Sequence, residues 1–68
     1  MFGDKRNMYT VIFKRKDNQP DEIFTYNSLE EAQYHFNLFK NDDSDLYSRI
    51  ELCQEKGSIK MLMDVIYF

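Results

Sequence analysis

The chain has 68 residues, room for one domain and one modest core, and a core of this size supplies only about 3–5 kcal/mol of net stability. An aromatic content of 16 % beside two glycines and one proline excludes a disordered chain, and a formal charge of −3 speaks against a protein devoted to neutralising phosphates. Cys53 is the only cysteine, so no disulfide can supplement the core and a reducing compartment is expected.

Residues 1–7 are polar and are expected to form a flexible leader, with residues 8–68 making a single small domain. Met8 lies directly ahead of the first strand and is a conceivable natural start. From Met8 to Lys14 the run MYTVIFK is β-branched and aromatic, which predicts a strand. Tyr9, Val11 and Phe13 share one face, and Met8, Thr10 and Ile12 share the other. RKDNQPD predicts a turn, because Pro20 cannot donate to a ladder and Asp17 and Asn18 favour local side-chain bonds. Residues 22–26, EIFTY, complete a hairpin.

The stretch from Ser28 to Lys40 is the one convincing helix. Ser28 and Glu31 have the spacing of a capping box, Glu30 and Glu31 suit the positive end of the helix dipole, and Asn41 is a reasonable stop. Leu29, Ala32, Phe36 and Phe39 form one apolar stripe and are expected to be core. Tyr34 and Leu38 fall on the opposite face. After the acidic loop 41–45, LYSRIELCQ alternates: Leu46, Ser48, Ile50 and Leu52 on one face, Tyr47, Arg49, Glu51 and Cys53 on the other. Residues 55–58 predict a hairpin turn with Gly57 at the position needing positive φ. The last strand, residues 59–68, sets Ile59, Met61, Met63, Val65 and Tyr67 against Lys60, Leu62, Asp64, Ile66 and Phe68.

The expected fold class is α+β: a ββαββ order, with a mostly antiparallel four-stranded sheet and one helix on one face. The first and last strands carry apolar residues on both faces, and one helix covers only one. Ile12, Leu62, Ile66 and Phe68 are therefore surplus on the open face. The ends of the chain could cover them, the sheet could curl closed, or another molecule could bury them.

Positioned chemistry is hard to find. His35, the only histidine, sits beside the core stripe, where a boundary residue with a satisfied ring nitrogen is expected. Cys53 has no orienting partner in its own element. Asp42, Asp43 and Asp45 lack the spacing and distal glutamate of a calcium loop, and Gly3 and Gly57 are isolated rather than part of a phosphate loop. No enzyme, cofactor or metal is expected. The leading expectation is a protein-interaction module, a homodimer or the binder of an unidentified protein, with Tyr34, Leu38, Tyr47, Leu62, Ile66 and Phe68 as candidate contacts. The alternative is a nucleic-acid accessory protein using Lys14, Arg15 and Lys16, beside which the aromatics could stack bases. A weaker alternative is an acidic inhibitor occupying the basic groove of a nucleic-acid-binding enzyme. The N-terminal charges do not suit a signal peptide and no segment is long enough for a bilayer, so a cytoplasmic site and no membrane contact are expected.

Overall fold

The β-branched and aromatic run that opens the domain and the alternating segment after the acidic loop become the two central strands. In the computed structural model, which describes residues 8–40 and 45–68, β1 is Met8–Arg15, β2 Glu22–Tyr26, α1 Leu29–Leu38, β3 Tyr47–Lys56 and β4 Ile59–Tyr67. All pairings are antiparallel and the strand order is β2-β1-β3-β4. The expected ββαββ, α+β arrangement is therefore the one observed. The chain leaves β2 at one edge, crosses over β1 as α1, and returns as β3 on the other side.

The apolar stripe of α1 makes the core. Ala32 and Phe36 are fully buried against Val11, Phe13, Ile50 and Leu52, with Tyr9, Tyr26, Phe39, Tyr47, Ile66 and Phe68 packed around them. Phe13 is the hub, with ring centroids 5.1 Å from Phe39 and 5.6 Å from Phe24, both edge-on, the orientation favoured by aromatic quadrupoles. On the other face of the sheet Thr10, Ile12 and Cys53 are buried, and the Thr10 hydroxyl donates to Glu55 at 2.9 Å.

The helix differs from expectation at both ends. Ser28 has the extended backbone of an N-cap but its side chain makes no cap bond; its carbonyl accepts the Ala32 N–H at 3.1 Å. The capping box is therefore not formed. Helical residues end at Leu38, and Phe39 and Lys40 close the last turn through bonds to Phe36 and Asn37 carbonyls three residues back, a tightening that satisfies orphan groups. The expected stop at Asn41 and the leader at residues 1–7 lie outside the described residues.

Two bulges overturn the simple alternation. Lys14 faces Arg49 and Arg15 faces Tyr47, so Ser48 is the unopposed residue in β3. This turns Tyr47 onto the helix face, 5.1 Å from Phe13 between ring centroids, not onto the face it was expected to share with Arg49. In β4, Leu52 faces Asp64 while Cys53 faces Leu62, which leaves Met63 as the extra residue. Past that point every side chain changes face. Ile66 lies opposite Ile50 and packs with Phe68 on the core, while Val65 lies opposite Glu51. The expected surplus of Ile66 and Phe68 on the open face is thus removed. The β3–β4 loop is Gly57-Ser58, with positive φ (61°) at Gly57 alone among these two, the pattern of a type II′ hairpin.

Candidate interaction surface

A ten-residue helix is about 15 Å long, whereas the ten residues of β3 extend about 33 Å. The mismatch decides what stays uncovered. The backbone of α1 lies over β1, β2 and β3 and stays away from that of β4. β4 is the edge strand of the sheet, and away from Ile66 it has large apolar side chains in the open: Ile59 is 62 %, Met61 54 % and Leu62 58 % exposed, and Met63 and Tyr67 are exposed too. Ile59 and Met61, with Gln54 and Lys56 across the hairpin, line a shallow groove of about 280 Å³. Contiguous apolar exposure of this kind is the usual mark of an interaction site.

Of the candidate contacts named from the sequence, Leu62 is exposed on the same edge strand, on the opposite face from this groove. Tyr34 and Leu38 are exposed together on the outer face of α1, at 69 % and 55 %, and are not brought near Leu62. Tyr47, Ile66 and Phe68 are half-buried against the core. The Tyr47 hydroxyl donates to Glu22 at 3.1 Å, and burial first, then this bond, pushes its pKa up. Ile59, Met61 and Met63 were not among the candidates. Sequence alternation placed them on one face with Val65, and only the short reach of the helix leaves them exposed.

The basic turn is internally paired. Lys14 meets Asp21 at 2.7 Å, and Arg15 meets Asp17 at 2.6 Å and Glu22 at 2.9 Å. The bond to Asp17, then that to Glu22, raises the Arg15 pKa, and Arg15 in turn holds the Asp17 carboxyl down to about 2. Lys16 is exposed. Asp17 Oδ1 also accepts the Gln19 N–H at 3.3 Å, the local bond expected of a turn aspartate.

His35 is enclosed by aromatic rings. Its ring centroid lies 5.3 Å from Phe24, 5.6 Å from Phe13, and 5.7 Å from both Tyr26 and Phe39. The Tyr26 hydroxyl is hydrogen-bonded to His35 Nδ1, so the ring nitrogen is satisfied as expected, and burial first, then Glu31, raises the Tyr26 pKa. Cys53 is buried, and its burial pushes the thiol up, away from the thiolate needed for reactivity. Asp42 and Asp43 lie outside the described residues; Asp45 is exposed. Among the described residues no three His, Cys, Asp or Glu side chains are grouped to hold a metal, and no helix is long and apolar enough to cross a membrane.

Comparison with family models, with curated proteins and with solved structures found no match to this chain.

Proposed function

We propose that this chain is a small non-enzymatic interaction module that self-associates through β4. The observation carrying the reading is the edge strand left bare by the helix, with Ile59, Met61, Leu62 and Met63 exposed. A core this small gains most from an added interface, and an open edge offers backbone donors and acceptors as well as apolar area. The single buried thiol of Cys53 suits work in the cytoplasm.

Light scattering over a range of concentrations at two salt levels tests this. Expected is a mass that rises with concentration to that of a dimer and changes little with salt, since apolar burial dominates. Leu62→Lys should shift the chain to monomer with an unchanged far-UV circular dichroism spectrum, its unfolding midpoint lowered only by the interface it loses, since Leu62 is exposed and contributes nothing to the core. A monomer at every concentration would sink the reading.

A further inference from the structure

We infer that the partner of β4 is β4 of a second copy, joined antiparallel about a two-fold axis that passes between Met63 and Asp64. This deepens the reading above and rests on it. The argument starts from which way each residue of β4 points. Lys60, Leu62, Val65 and Tyr67 lie opposite Glu55, Cys53, Glu51 and Arg49 on the open face, and Ile59, Met61 and Ile66 lie opposite Lys56, Gln54 and Ile50 on the helix face. A two-residue hairpin makes Lys56 and Ile59 a hydrogen-bonded pair, so the backbone groups of Lys60 and Leu62 are directed off the sheet. Beyond the bulge the phase is marked independently. Phe68 N–H donates inward to Ser48 at 3.2 Å, and Val65 N–H bonds the Asp64 carboxylate at 2.8 Å. Val65 and Tyr67 therefore also present their backbone to the open edge.

Edge strands commonly carry a lysine and a bulge, which prevent indiscriminate pairing with any extended chain. β4 has both, in Lys60 and at Met63. A regular strand laid along it would lose register at the bulge. A second β4 would not, because its own extra residue falls at the same place when the axis passes between positions 63 and 64. In that register Leu62 meets Val65 of the second copy and Met61 meets Ile66, apolar against apolar with faces preserved. Lys60 meets Tyr67 of the second copy, setting an ammonium against an aromatic ring, an attractive pairing. Neither Lys60 nor Asp64 is directly opposite a like charge, since Asp64 faces Met63. The outward donor of Val65 exchanges its bond to Asp64 for the Leu62 carbonyl of the second copy.

The register is tested by disulfide trapping with Lys60→Cys and Tyr67→Cys chains, both carrying Cys53→Ala. Residues 60 and 67 are exposed, so neither change removes core. Across a hydrogen-bonded antiparallel pair the α-carbons are about 5.5 Å apart, within disulfide range. Equivalent positions in the two copies are seven residues out of register, about 23 Å apart. Expected is a disulfide dimer when the two variants are mixed under mild oxidation and none from either alone. A dimer by light scattering that gives no mixed disulfide, or that cross-links within one variant, overturns this pairing and leaves self-association standing. A chain that is monomeric throughout overturns both. As a second readout, Asp64→Asn removes two carboxylates flanking the axis and should tighten the dimer; weakening would contradict the placement of the axis.

Discussion

Arg15 is the residue at which local chemistry is most concentrated. Its guanidinium spans Asp17 in the turn and Glu22 at the start of β2, so it ties the two ends of the first hairpin loop together. Asp17 is exposed, and the bond to Arg15 outweighs the opposing effect of its partial burial, so the pair's contribution is best read by titration. Its carboxyl is held down to about 2, below the ordinary value of about 3.9. A depressed carboxylate adds stability above its ordinary range, and that contribution disappears as pH falls through about 2. A carboxyl carbon NMR titration should place the Asp17 midpoint near there, and Arg15→Ala should return it toward the ordinary range. An unchanged midpoint in that variant would mean that Arg15 is not the cause. The hydroxyl of Tyr26 and the ring of His35 show the complementary case, two polar groups made compatible with an aromatic cluster by bonding to each other.

Among the elements, β4 shows how one extra residue reorganises a strand. Its pattern reads as apolar on both faces, and the bulge at Met63 is what sorts Ile66 to the core and Val65 away from it. Because Met63 is the residue of β4 left without an opposite number in β3, deleting it should straighten the strand while keeping Val65 opposite Glu51 and Ile66 opposite Ile50. The expected outcome is a chain that stays folded, with a urea midpoint close to the parent's. A midpoint lowered as far as the loss of a large core side chain requires, about 2–5 kcal/mol, would show that Met63 is not the extra residue. The helix was more legible. Ala32, Phe36 and Phe39 do face the core, Leu29 at the first turn is only half-buried, and Tyr34 and Leu38 do face out. The cap was not, because Ser28 carries the right side chain and backbone but spends neither on the expected bond.

For the whole molecule the governing fact is a single helix over a four-stranded sheet. Nearly all stability must come from one cluster centred on Phe36. Phe36→Ala should cost about 3–5 kcal/mol, matching the about 3–5 kcal/mol that a core of this size supplies, so the variant should lose its cooperative thermal transition by circular dichroism. Retention of a sharp transition near the parent's midpoint would mean that another interface shares the load.

The candidate surface was only half legible, since Leu62 was named as a contact but Ile59, Met61 and Met63 were not. Periodicity alone determined the element order, the helix face and the type of fold, because burial on one side of a strand or helix writes itself into the local spacing of apolar residues. Strand order, the two bulges and the bare edge were decided only in three dimensions. Each depends on which segments meet across the sheet and on how far a ten-residue helix reaches, and local spacing does not record distance between elements.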